Sequence, residues 1–210
     1  MDRLFARLVE KIGLPTCRQI VPNTVIEQYK GKLPHQLLEH WSQYGWSGFG
    51  KGIFWLVNPA EYECVVDTWL NGTEHSKRDK YHLIARSAFG DMYFWGENTG
   101  ASLKITSILS SYVTRTSIYT GVDLDKGFPA FLLSISFDSN NYGDMFDPAY
   151  EKLGALTADE MYGFTPAIML GGSGSFNHLE KVKSVEHLSF LAQLSDLRPY
   201  LSTGDFPLGH

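Results

Sequence analysis

Gly171-Gly172-Ser173-Gly174-Ser175 is the part of the chain closest to a phosphate-binding loop, because successive backbone N–H groups in a glycine-rich turn can cradle an oxyanion. A phosphate loop ends in Lys-Ser/Thr and runs directly into a helix, whereas Phe176-Asn177-His178 follows here. The segment therefore reads as a flexible connection between strands. Asp123-Leu124-Asp125-Lys126-Gly127 opens like a calcium loop but lacks the later oxygen ligands and the closing bidentate glutamate. Capping of a helix ahead of Phe128 is the better account. The histidines His35, His40, His75, His82, His178, His187 and His210 show neither H-x-x-x-H nor H-E-x-x-H spacing, and neither Cys17 nor Cys64 lies in a C-x-x-C. No metal and no cofactor is expected from that arrangement. Ser-His-Asp chemistry assembles from distant positions, and no G-x-S-x-G elbow announces it.

Tryptophans offer a second kind of chemistry, stacking on sugars or bases. Trp41 and Trp69 fall on apolar helical stripes and belong to a core; Trp46, between Gly45 and Ser47-Gly48, is expected at the surface. The acidic stretch from Asp123 to Glu160 is the least bland feature. It holds eight acids (Asp123, Asp125, Asp138, Asp144, Asp147, Glu151, Asp159 and Glu160) against Lys126 and Lys152, while residues 1–100 balance at 11 acids and 11 bases. A solvated face is the simplest reading. The functional reading is a negative patch that steers a basic partner surface toward it. Asp138, Asp144, Asp147 and Glu151 would then enter a basic cleft that normally grips phosphates, such as a nuclease groove. Tyr142, Phe146 and Tyr150 would supply apolar anchors.

The whole chain of 210 residues is long enough for one larger domain or two small ones, and 43% apolar with 14% aromatic residues marks an ordered globular protein. A net charge of −5 argues against direct binding of nucleic acid or an anionic membrane. Arg3, Arg7, Glu10 and Lys11 interrupt the apolar positions of the first helix, so no signal peptide is expected, and no window resembles a membrane span. The expected compartment is the cytoplasm, with both cysteines reduced.

Several elements must position these residues. Leu4, Phe5, Leu8, Val9 and Ile12 recur at helical spacing until Gly13 and Pro15. After a short polar segment, Leu33–Tyr44 shows one stripe (Leu37, Leu38, Trp41, Tyr44), with Pro34 suited to a first helical position and Gly45 to the stop. Gly48, Gly50 and Gly52 precede an apolar strand, Ile53–Val57. Asn58-Pro59-Ala60-Glu61 then starts a helix whose face is Tyr62, Val65, Val66, Trp69 and Leu70. The charged run Glu74–Lys80 is the candidate boundary, giving parts 1–75 and 80–200, or one continuous unit. From Tyr81 the pattern turns to β: alternating Tyr81, Leu83 and Ala85, a turn at Gly90-Asp91, an aromatic strand Met92–Trp95, and strands Leu103–Ile105 and Ile108–Val113. Helices follow near Phe128–Phe137, Pro148–Leu153 and Val185–Leu197, with a closing hairpin from Phe164–Leu170 and His178–Val182. The class is α+β: N-terminal helices flanking a mostly antiparallel sheet, then a C-terminal helical portion.

Taken together, both halves resemble the GAD-like immunity proteins of bacterial type VI secretion, with their companion C-terminal domain. In the N-terminal half the likeness rests on Leu33-Pro34, Leu37, Trp41, Gly45, Gly52-Ile53-Phe54-Trp55 and Asn58-Pro59-Ala60-Glu61-Tyr62. Beyond these it rests on Ala88–Trp95, Leu153-Gly154-Ala155-Leu156, Asp159–Phe164, Pro166-Ala167 and Leu170-Gly171-Gly172, so it spans roughly residues 20–197. The resemblance implies a non-enzymatic antitoxin that binds a cognate effector, often a DNase, in the cytoplasm and blocks its active site or substrate groove. It supplies no catalytic or toxin-contacting residues. A looser likeness to the Smi1/Knr4 fold implies a regulatory scaffold instead, and a small enzyme with a dispersed site is the third reading.

Overall fold

The computed structural model describes residues 3–200. It begins with α1 (Arg3–Ile12), whose buried Leu4, Phe5, Leu8 and Ile12 follow the expected stripe. Next come β1 (Pro15–Gln19), α2 (Asn23–Tyr29) and α3 (His35–Tyr44). Helix α3 ends as expected at Gly45, with φ 75°, but Pro34 occupies the cap and not the first helical position. The α3 start is completed from 90 residues away: the Asp125 carboxylate accepts the His35 N–H at 3.0 Å. Asp123-Leu124-Asp125-Lys126 thus caps a helix, though a different one from the helix that follows it, since α6 (Gly127–Ser134) starts without a side-chain cap.

The large sheet is a meander of β1, β2 (Trp46–Phe49), β3 (Phe54–Leu56), β4 (Tyr81–Ser87), β5 (Asp91–Gly96), β6 (Gly100–Thr106) and β7 (Ser111–Thr114). Each consecutive pair is antiparallel; β10 (Arg198–Pro199) adds in parallel outside β7. Between β3 and β4 run α4 (Glu63–Leu70) and α5 (Glu74–Arg78), so the charged segment 74–80 is a short helix and turn inside the sheet's connection. The structure is α+β, as the residue pattern implies. All seven residues of β4 are buried, although its sequence alternates. Both faces of the sheet are covered. Phe5 of α1 and Phe128 of α6 pack toward Trp95 on one face, while Tyr62 and Trp69 of the α4 region meet the C-terminal elements on the other.

Trp46 corrects a surface expectation. It is 7% exposed, because its strand lies between β1 and β3 and its ring packs edge-on against Trp41 at 5.6 Å. Glycines around it are set by close approach. A Cβ at Gly48 would meet the Trp55 ring at 3.0 Å, and one at Gly50, where φ is +58°, would meet the Ile12 carbonyl oxygen at 2.1 Å. Gly50→Ala is expected to cost roughly 2–4 kcal/mol, from backbone strain plus a clash with backbone that cannot rotate away. Urea unfolding of that variant checks it; a loss under 1 kcal/mol would show that the turn relaxes freely.

The C-terminal portion contains α6, α7 (Phe146–Leu153), the separate antiparallel hairpin β8 (Glu160–Phe164) and β9 (Leu179–Lys183), and α8 (Ser184–Leu191). The first hairpin strand therefore lies earlier than Phe164–Leu170, and α8 stops before Leu194 and Leu197. The glycine-rich segment 171–175 connects the two hairpin strands, as its sequence suggests. Polar anchors tie this portion to the sheet. Trp69 Nε1 donates to the Leu188 carbonyl at 3.0 Å, the Tyr62 and Ser184 hydroxyls meet at 3.0 Å, and the Tyr162 N–H donates to the Ala88 carbonyl at 2.8 Å. At their centre lies Arg86, fully buried on β4.

Candidate interaction surface

The acidic residues of interest lie on α7 and on the loop that enters it. Asn141 organises that loop: its Oδ1 accepts the Phe146 N–H at 3.0 Å and its Nδ2 donates to Asp144 at 2.9 Å. Tyr142, Gly143 and Asp144 all adopt left-handed φ values (46°, 63° and 65°), a strained run for two non-glycine residues. The run turns the Tyr142 ring inward, onto Phe89 and Phe164 at 5.5 and 5.6 Å, and leaves Asp144 exposed.

Asp138, Asp144, Asp147 and Glu151 are exposed, while Tyr142 and Tyr150 are half-buried. Phe146 is not available to a partner. It is fully buried between Phe137 and Tyr162, at ring separations of 6.0 and 6.1 Å, because it sits on the inward face of α7. Its role is to hold α7 on the core. On the outer face, Asp147 approaches Lys51 at 3.7 Å, and the same ammonium lies 5.2 Å from the Tyr150 ring centre.

The local charge excess is smaller in space than in sequence. Lys51, Lys183 and Lys181 arrive from outside the stretch to pair with Asp147, Asp159 and Glu160 at 3.7, 2.5 and 3.8 Å. Hydrogen bonds from Lys183 and Thr157 hold the Asp159 carboxyl below its ordinary range. The half of the excess that survives is concentrated on Asp138, Asp144 and Glu151, which have no cationic partner among the described residues. The Lys51–Asp147 and Lys183–Asp159 pairs are exposed and worth little to stability, while the unpaired charge of Asp138, Asp144 and Glu151 is free to act on a partner.

Nothing among the described residues assembles catalytic or metal-binding geometry around this surface. No group of three or more His, Cys, Asp and Glu side chains converges to hold a metal ion. Ser175 and His178 do meet at 2.9 Å, but on an exposed loop, with no carboxylate on the far ring nitrogen to orient the base. Cys17 and Cys64 are free thiols. Among the described residues no helix is long and apolar enough to cross a membrane.

Similarity to other proteins agrees with the layout of elements. Residues 126–195, which include α6 to α8 and the whole acidic face, match the C-terminal domain of the T6SS (type VI secretion) immunity protein Tdi1. The crystal structure of Atu4351 from Agrobacterium tumefaciens has the same fold: TM-score 0.81 at 21% identity, covering 95% of this chain and 94% of that one. None of the curated proteins matches the chain. Residues 3–109, which contain α1 to α5 and the antiparallel strands through β6, match the GAD-like domain. The chain belongs to the GAD-like domain family, and its C-terminal portion is similar to the C-terminal domain of the type VI secretion immunity protein Tdi1.

Proposed function

We propose that this chain is a type VI secretion immunity protein that binds its cognate effector stoichiometrically and blocks the effector's active site or substrate groove, acting by occlusion and not by catalysis. The observation that carries the reading is the pairing of a GAD-like domain with a segment like the C-terminal domain of the T6SS immunity protein Tdi1. The surviving acidic face on that segment favours an effector with a basic groove, as a nuclease has, and the protective encounter takes place in the cytoplasm. Asp138, Asp144 and Glu151 supply the unpaired charge, Asp147 stands among them in an exposed pair with Lys51 that a partner's cation can replace, and the half-buried Tyr142 and Tyr150 give the face a rigid floor.

The test is a survival assay with the protein encoded beside this gene, expressed in bacteria with and without this chain, followed by co-purification. Rescue with a one-to-one complex is the expected result; toxicity without rescue or binding would remove the reading. Asp144→Lys with Asp147→Lys should slow association roughly tenfold or more and flatten its dependence on salt. An unchanged association rate would move the contact away from this face while leaving the immunity role in place.

A further inference from the structure

A cleft of about 240 Å³ opens on the sheet face beside α6. Its floor is Ser102 and Lys104 of β6 with Val113 and Arg115 of the neighbouring β7 segment, and its far wall is Phe131 and Ile135. Lys104 stands opposite Val113, and the Arg115 N–H donates to the Ser102 carbonyl at 2.8 Å, so the two cations are diagonal neighbours on adjacent strands. Diagonal pairs on one face lie about 7–8 Å apart, close enough for two long side chains to reach one anion. They are not equivalent. Lys104 is bound to Asp91 at 2.7 Å and lies over the Tyr93 ring, whereas Arg115 is exposed and has no acidic partner among the described residues.

The cleft therefore carries one uncommitted guanidinium above apolar walls. Val113, 41% exposed, leaves part of that floor uncovered. An occupant matching this chemistry brings a carboxylate for Arg115 and an apolar body for Val113, Phe131 and Ile135. The cleft also adjoins the acidic face directly: Ser139 lines its rim, and Asp138 immediately precedes it in the chain. A positive recess beside a negative ridge is the complement of a surface in which cations surround carboxylates. The active site of a metal-dependent nuclease has that layout, since its phosphate-gripping cations flank metal-binding acids.

We propose that this cleft is a second docking point for the effector, in which Arg115 receives an effector carboxylate while the neighbouring acidic face engages the effector's cations. The proposal rests on the immunity reading and specifies how that surface recognises its partner. Charge of both signs in fixed register would make recognition selective, because a merely basic protein would leave Arg115 facing a like charge.

The experiment uses the full chain and the protein encoded by the adjacent gene, with binding followed by calorimetry and by association kinetics. Arg115→Glu and the milder Arg115→Ala are compared with wild type, and far-UV circular dichroism confirms that each variant folds. Arg115→Glu should weaken the complex roughly 10- to 100-fold and Arg115→Ala several-fold. An Asp or Glu to Arg change in the effector should then restore binding to Arg115→Glu but not to wild type. Wild-type affinity for both Arg115 variants, with the Asp144→Lys and Asp147→Lys protein weakened, would overturn the cleft and leave the immunity reading intact. Absence of any complex with the wild-type chain would remove the immunity reading and the cleft's occupant with it.

Discussion

Replacing Arg86 with alanine is expected to destabilise the fold by about 3–5 kcal/mol, from the cavity left by a large buried side chain together with the buried acceptors it would leave unpaired. The side chain is fully buried on β4, and no carboxylate neutralises it among the described residues. Neutral oxygens do that work instead. Nε donates to the Tyr62 hydroxyl at 2.9 Å, Nη2 donates to the Ala158 and Glu160 carbonyls at 2.8 Å each, and Nη1 reaches the Ser87 carbonyl at 3.3 Å. The guanidinium also stacks near the Trp55 ring, 5.1 Å from its centre. A planar fork with five donors can satisfy these acceptors at once; an ammonium cannot. Alanine would take the guanidinium from the Ala158 and Glu160 carbonyls, reduce the Tyr62 hydroxyl to its contact with Ser184, and leave a cavity, two of the few mechanisms that give large losses.

The position of Arg86 gives that variant a second signature. Its acceptors come from Tyr62, in the turn ahead of α4, on one side and from Ala158 and Glu160 at the start of β8 on the other, so it joins the portion matched at 3–109 to the portion matched at 126–195. We propose that the two portions unfold together for this reason. All five tryptophans lie in the first portion, whereas far-UV circular dichroism reports both. The two signals should coincide during urea unfolding of wild type and separate in Arg86→Ala. A loss below 1 kcal/mol with coincident signals would show that the anchors of Trp69 and Tyr162 suffice alone.

The second large effect concerns pH. His40 is 4% exposed, stacks on Phe5 at 3.6 Å, and neither ring nitrogen has a hydrogen-bond partner. Burial, aided by the Arg18 charge, lowers its pKa from 6.5 to about 4. The native state therefore holds His40 neutral while the unfolded chain takes up a proton below pH 6.5. Stability from this residue is complete above pH 6.5 and falls by about 3 kcal/mol as the pH drops toward 4. His75 and His187, whose pKa values burial also lowers, act in the same direction, so the difference between proteins is the quantity to read. His40→Leu should reduce the loss between pH 7 and 4 by about 3 kcal/mol, measured by urea unfolding at each pH. Equal slopes for wild type and variant would place the sensitivity elsewhere. Asp79 is a separate, more acidic case. Burial alone would raise its pKa, but hydrogen bonds from Thr99, Asn98 and the Lys80 N–H outweigh it, so its contribution is lost only as the pH falls below the ordinary carboxylate range.

How much of this was legible depended on where each element buries its side chains. Helices α1, α3 and α4 each bury one stripe, and the spacing of Leu4, Leu8 and Ile12, or of Val65, Trp69 and Leu70, records it. Strand β1 left no such record: four of its five residues are exposed, so Pro15–Gln19 reads as a polar linker. Helix α2 buries Ile26 and Tyr29 alone, too few for a periodic signal. In α8 the spacing continues through Leu194 and Leu197 after the helix has ended, because apolar residues in a following turn can pack without helical geometry. The site divides the same way. The exposure of Asp138, Asp144, Asp147 and Glu151 accords with their charge, but the inward turn of Phe146 depends on which side of α7 meets the core.

The sequence by itself determined the α+β class, the succession from N-terminal helices through an antiparallel meander to a C-terminal helical portion, the core helices around Trp41 and Trp69, and the family to which the chain belongs. All of these rest on local periodicity or on motif order, which survive in one dimension. The tertiary structure alone decided which charges remain free, because Lys51, Lys181 and Lys183 reach the acidic stretch only after folding. It also decided that Asp125 caps a helix 90 residues away, that Trp46 is interior, and that a buried Arg86 fastens the two portions together. Each of these is a contact between distant segments, and the energy of such a contact is set by geometry that no local spacing encodes.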